Sequence, residues 1–187
     1  MDQLRENAYF QMGDENEKIF TPILKEKFGG DIKKTFFMKS VLDFESPTHF
    51  IELKSRTYPS TAFKEWMIGD NKRLMGMKKI KQGKKVFFVF AFKEGGTFYW
   101  ELTEENFEAI GGMKQVYIDG TSSRGYNDYK PHLHIPLNAM TKLTDKCSYT
   151  FSLDNYKQSG NSVPCSRGTT NGLLGKGCLL KSTSKVC

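Results

Sequence analysis

Apolar residues recur at helical spacing between Glu15 and Phe28, at Ile19, Phe20, Ile23, Leu24 and Phe28, and Gly29-Gly30 supply the stop such a helix needs. Lys34 to Ser40, Val41 to Glu45 and His49 to Arg56 read as three strands, the last two joined around Ser46-Pro47-Thr48. Tyr58 to Ile68 is looser, and Asp70 after Gly69 predicts the N-cap of a helix running to about Lys81 and closed by Gln82-Gly83. Two more strands, Lys85 to Phe92 and Thr97 to Leu102, flank the turn Lys93-Glu94-Gly95-Gly96. Val86 to Phe92 (VFFVFAF) is apolar throughout, which predicts a central strand covered on both faces. Thr103 begins a short helix ending at Gly111-Gly112, and Val116 to Asp119 and His132 to Pro136 add edge strands around the polar loop Gly120 to Lys130. The pattern predicts an α/β fold in which helices flank a central mixed β-sheet, in the order αβββαβ with additions.

The charge changes the picture. Lys and Arg total 28 against 21 Asp and Glu, a net charge of +7 over 187 residues, which favours a polyanionic partner through phosphate neutralisation. The longest apolar run falls far short of the roughly 20 residues of a membrane helix, and MDQLRENAYF carries no signal-peptide pattern. The expectation is a soluble intracellular protein, cytoplasmic or nuclear. From Cys147 onward Ser, Thr, Gly and Asn dominate, with Asp154 facing five basic residues, so residues 1–146 are expected to form the domain and 147–187 a mobile basic tail or loosely packed extension. Cys147, Cys165, Cys178 and Cys187 are widely spaced without a CxxC pair, and read as ordinary thiols of a reducing compartment.

The chemistry concentrates in Leu42-Asp43-Phe44-Glu45-Ser46-Pro47-Thr48-His49-Phe50-Ile51-Glu52-Leu53-Lys54. A tight turn at Pro47-Thr48 sets Ser46 against His49 and Asp43 against Glu52, with Cβ atoms of opposed residues about 4.5–5.5 Å apart. Alternation puts Lys54 on the face of Glu52. Two opposed carboxylates repel unless a cation lies between them, and a hard divalent ion is the natural occupant. Such an ion polarises a phosphodiester and lowers the pKa of water, Lys54 can orient that water or neutralise developing charge, and the Leu53 carbonyl is a further ligand candidate. The same pattern also describes an amphipathic hairpin, with Leu42, Phe44, Ile51 and Leu53 inward and the charges solvated. Glu17 shares the helical stripe of Phe20, Leu24 and Phe28, and an acid on that face wants a partner; Glu15 takes its place if the phase shifts slightly.

Glu17 on a first helix, Asp43 on a second strand, Glu52-Leu53-Lys54 on a third and a following helix with Lys72 resemble the PD-(D/E)XK nuclease superfamily, in the flavour of small phage or viral nucleases and Holliday junction resolvases. The resemblance spans roughly residues 10–140; Leu42 stands where the family name has proline. It implies a restriction-endonuclease-like core, Mg2+ or Mn2+ on Asp43 and Glu52, Lys54 assisting the nucleophilic water, Glu17 reaching the metal through water, and Lys72 meeting the phosphate. It also implies a DNA substrate in preference to RNA, and a homodimer where the substrate is duplex. Arg56 and Arg124, and the run Lys78-Lys79-Ile80-Lys81 with Lys84-Lys85, are candidate nucleic-acid contacts; Tyr58, Trp66 and Tyr126 are candidates for stacking on bases. His132 and His134 are spaced for one strand face, as a polar edge or a metal pair. Two other readings stand beside the nuclease: a catalytically inactive nuclease-like module that binds nucleic acid, and a protein-interaction domain.

Overall fold

A computed structural model describes residues 3–35, 42–118 and 128–149, all within one compact unit spanning Met1–Ser152. Most of the extension expected at 147–187 therefore lies outside the described residues, as do Arg124 and Tyr126.

The chain opens with α1 (Gln3–Phe28), longer than the apolar stripe alone predicts, and Leu4, Arg5, Glu6 and Ala8 in its first turns are good helix formers. Gly29, at φ 121°, ends the helix in a conformation a side chain would resist. There follow β1 (Lys33–Lys34), β2 (Phe44–Glu45), β3 (His49–Ser55), β4 (Glu65–Gly69), α2 (Asp70–Ile80), β5 (Lys85–Ala91), β6 (Thr97–Glu101), α3 (Glu104–Ala109), β7 (Met113–Ile118), β8 (Asp128–Pro136) and β9 (Thr141–Thr144). The central sheet has the order β1-β2-β3-β5-β6-β9, with β3 and β5 parallel and the other pairs antiparallel. This is the α/β class with a mixed sheet that the pattern predicts.

Several elements depart from the prediction, β9 among them. The looser segment contains β4, and β8 is the middle strand of a second sheet, β4-β8-β7, not an edge. The order after α1 therefore has four strands before α2, the fourth belonging to the other sheet. The cap of α2 is Gly69; Asp70 is the first helical residue and its carboxylate binds Arg73 at 2.7 Å.

β5 explains the layering. Val86, Phe88, Phe90 and Phe92 enter one core with Trp66, Ile68, Leu133 and Ile135 of the second sheet; Phe87, Val89 and Ala91 enter another with Phe20, Leu24 and Phe28 of α1. Both faces of the strand are buried, as its unbroken apolar run requires. Helix α1 covers one face of the central sheet, and α2 with the second sheet covers the other. The β3–β4–α2–β5 connection is the crossover that a parallel pair demands.

Gly76 lets α2 come this close. A Cβ there would lie 2.6 Å from Leu102 Cδ2 and 3.1 Å from Val86 Cγ1. Gly76→Val should destabilise the domain by about 1–3 kcal/mol through overpacking. Gly76→Ala should lie near neutral, since the roughly 1 kcal/mol gain in helix propensity offsets displacement of a Leu102 methyl. Urea unfolding of the two variants checks the contrast, and equal stabilities would contradict it.

Candidate functional site

The hairpin forms in the register the sequence predicts: Phe44 pairs with Ile51, Glu45 with Phe50, and Ser46 N–H donates to His49 C=O at 2.9 Å. The Ser46 hydroxyl accepts the N–H groups of Thr48 and His49, which is how Pro-Thr, a poor two-residue turn, closes the loop. Just before β2 the chain bends at Leu42-Asp43. The bend sends Leu42 into the core under the second sheet, away from Phe44, Ile51 and Leu53, with which strict alternation would group it.

The bend also aims Asp43. Its Oδ2 accepts the Leu53 N–H at 2.8 Å, holding the carboxylate between the ends of β2 and β3. A strand residue presents its N–H and C=O to the same side, so the Leu53 carbonyl faces the edge where Asp43 sits.

Glu52 is fully buried, not on a solvated hairpin face. It pairs in register with Phe88, and its face of β3 lies against α2 and the second sheet. Two cations meet it: Lys54 Nζ lies 2.5 Å from Oε1, and Lys72 Nζ donates to Oε2 at 2.8 Å. The Lys54 contact is a close ion pair to a carboxylate oxygen that is itself buried. Burial raises the Glu52 pKa above its ordinary 4.5; Lys54 opposes this, and the Asp43 charge adds to it. Lys54 thus occupies the predicted face, while Lys72, in the first turn of α2, reaches the carboxylate itself.

On α1, Glu17 is mostly buried and Glu15 is exposed on Lys18, which resolves the choice of helical phase in favour of Glu17. Burial raises the Glu17 pKa, Lys34 counters it, and Asp43 raises it further. Asp43 therefore acts electrostatically on both Glu17 and Glu52. Lys34, which belongs to no motif in the sequence, bridges Asp14 and Glu17 at 2.7 Å each. Its only sequence signal is a second lysine in a two-residue strand. Three carboxylates and three ammonium groups so form one chain of charge: Glu17 with Lys34, Asp43 beside both acids, and Glu52 with Lys54 and Lys72.

Arg56 follows directly after β3. Its guanidinium donates to Met67 C=O at 2.7 Å and lies 5.7 Å from the Phe90 ring centroid and 6.0 Å from that of Trp66. Burial lowers its pKa while the Glu52 charge raises it. Of the remaining candidates, Trp66 is a core residue, Lys79 sits over the Phe50 ring at 4.3 Å, and His134 Nδ1 contacts Glu65 Oε2 at 3.1 Å. His132 pairs with Gly69 and Lys114 in the second sheet.

Among the described residues no group of three or more His, Cys, Asp or Glu side chains is gathered tightly enough to cage a metal alone. What the site offers is a pair of carboxylates, a backbone carbonyl toward Asp43 and a Glu52 oxygen that meets the Lys54 ammonium. That all-oxygen set suits a hard divalent cation completing its shell with water and phosphate, and does not suit zinc. No family model, curated protein or solved structure matches this chain.

The buried acid gives a pH signature. A carboxylate whose folded pKa is raised binds protons more readily folded than unfolded, so stability falls as pH rises from the ordinary 4.5 through the raised value. Compared with Glu52→Gln, the wild type should lose stability across that window and differ by a constant amount on either side. Urea unfolding from pH 4 to 8 measures the difference; a flat difference throughout would mean that Glu52 is not desolvated.

Proposed function

We propose that this chain is a divalent-metal-dependent nuclease that hydrolyses phosphodiester bonds, of DNA in preference to RNA, on a PD-(D/E)XK-like core. The observation that carries the reading is the Glu52-x-Lys54 pair on a buried strand face, with Asp43 fixed beside it by the Leu53 N–H. The mixed sheet flanked by helices, with β3 crossing through α2 into parallel β5, supports this reading.

Asp43, Glu52 and the Leu53 carbonyl would hold Mg2+ or Mn2+, with Glu17 acting through water. When bound, such an ion supplies charge that polarises a phosphodiester and lowers the pKa of nearby water. The chain's own groups do the rest. Leu53 N–H keeps the Asp43 oxygens from rotating away. Lys54, held against Glu52, presents an ammonium that orients the attacking water and neutralises charge building on the phosphorus-bound oxygens. Lys72 contributes a second positive charge from the helix start, where the dipole of α2 adds to it. At the other end Lys34 holds Glu17, whose carboxylate feels the Asp43 charge.

One observation favours the non-catalytic alternative, a nuclease-like module that binds nucleic acid without cutting it: both Glu52 oxygens already face ammonium groups, which suffices to keep a buried carboxylate in place without metal. The two readings differ in metal response.

For the nuclease, linear, circular, single-stranded and branched DNA should be cut with Mg2+ or Mn2+ and left intact with chelator. Glu52→Ala and Lys54→Ala should each lower the rate at least ~100-fold, in line with loss of a charge-stabilising group, while retaining the circular dichroism of the wild type. Mn2+ should raise the wild-type melting temperature and leave Glu52→Ala unmoved. Cleavage that persists in Glu52→Ala with chelator present would overturn the assignment; nucleic-acid binding with no metal response would leave the non-catalytic module.

A further inference from the structure

The strand carrying Glu52 and Lys54 runs on into Arg56, and there a cleft of about 740 Å3 opens, bounded by Ser55 to Tyr58, Phe63 to Met67 and His134. Its lining is mainly apolar, yet Arg56 and Lys64 stand on it. The acid on it, Glu65, is already taken by Lys114 at 2.6 Å and by His134.

The cleft contains a stair of three rings. Trp66 is buried, packed 4.6 Å from Phe92, and donates its indole N–H to Ser60 C=O at 3.2 Å. Phe63 meets Trp66 edge to face at 5.2 Å, and Tyr58 meets Phe63 the same way at 5.4 Å. The lower step is anchored in the core, while the upper two, Phe63 and Tyr58, are 51 % and 54 % exposed. Large aromatic side chains braced against one another and left half in water are the construction of a stacking platform, and neighbouring cations suit it to a base joined to phosphate. Arg56 lies two residues beyond Lys54, about 7 Å along the chain. At ~3.4 Å per stacked nucleotide that is a reach of one or two steps.

We propose that this cleft receives an unpaired nucleobase of the strand held at Glu52 and Lys54, stacking it on Tyr58 and Phe63 while Arg56 and Lys64 face the adjoining phosphates. The proposal rests on the nucleic-acid reading above and names the substrate form: strands with an overhang, flap or mismatch beside the scissile bond, not continuous duplex. A paired base has both faces covered by its neighbours and must leave the stack to enter such a cleft, at a cost that is least where the base is already unpaired.

The test uses the full chain and two fluorescein-labelled 20-base-pair duplexes, one blunt and one with a five-nucleotide overhang, titrated by anisotropy with chelator present. The wild type should prefer the overhang at least tenfold. The double variant Tyr58→Ala/Phe63→Ala should weaken overhang binding roughly 5- to 100-fold, as loss of base stacking does, and leave blunt-duplex binding unchanged; Tyr58→Phe/Phe63→Tyr should restore the preference. A second measurement needs no variant: 2-aminopurine in the overhang should be quenched on binding to the wild type, and 2-aminopurine within the duplex should not. Equal affinity for both duplexes, or an unquenched overhang, would overturn the proposal. Cleavage of the same DNAs with Mn2+ is scored separately. Cutting without overhang preference sinks this inference and spares the nuclease; overhang stacking without cutting supports it and sinks the nuclease; no binding and no cutting removes both.

Discussion

The structure depends on one unfavourable act, the placement of the Glu52 carboxylate inside a sheet between aromatic neighbours. An isolated carboxylate there would be far too costly, so the chain must bring cations to it. One comes from two residues along the same strand, and the other from α2, twenty residues on. Holding α2 in range requires its backbone to lie nearly against β5, and Gly76 is the position that permits this. The charge, the helix and the glycine are one solution to one problem.

The parallel pairing of β3 and β5 gives the solution its direction. Glu52 lies beside Phe88 and Lys54 beside Phe90, so the polar row on β3 runs along an aromatic row on β5. The aromatic row is core to the second sheet, which closes over it with Trp66, Ile68, Leu133 and Ile135. Where that cover ends, Arg56 spreads over Phe90 and Trp66, and the apolar interior gives way to the cleft. Core and candidate site are therefore the same face of the same strand, read at different heights.

Much of this was legible in the order of residues because the deciding contacts are local. The hairpin register follows from four residues around Pro47, the burial of α1 from the stripe Phe20, Leu24 and Phe28, and the two-sided core from the unbroken run in β5. What escaped depends on distant partners. β4 shows only Trp66 and Ile68 as an alternation, beside exposed Met67, and becomes a strand by pairing with β8 almost seventy residues away. β9 is four residues with no buried side chain, placed by its pairing with β6. Lys72 was expected to meet substrate, but its reach to Glu52 depends on a helix crossing that sequence spacing does not state. Trp66 offered itself as a stacking residue and is instead the support for Phe63, a residue whose position next to it gave no warning.

Asn16, fully buried one residue before Glu17, holds the backbone of Tyr149 with both ends of its amide: Oδ1 accepts the Tyr149 N–H at 2.7 Å and Nδ2 donates to its carbonyl at 2.9 Å. Ser148 is likewise fastened, to Phe92 C=O and Arg56 C=O. These ties join the latest described part of the chain to the helical turn bearing Glu17 and to the far end of β3. The Tyr149 backbone is thus a fixed point of the fold, seated against the helical turn that carries Glu17.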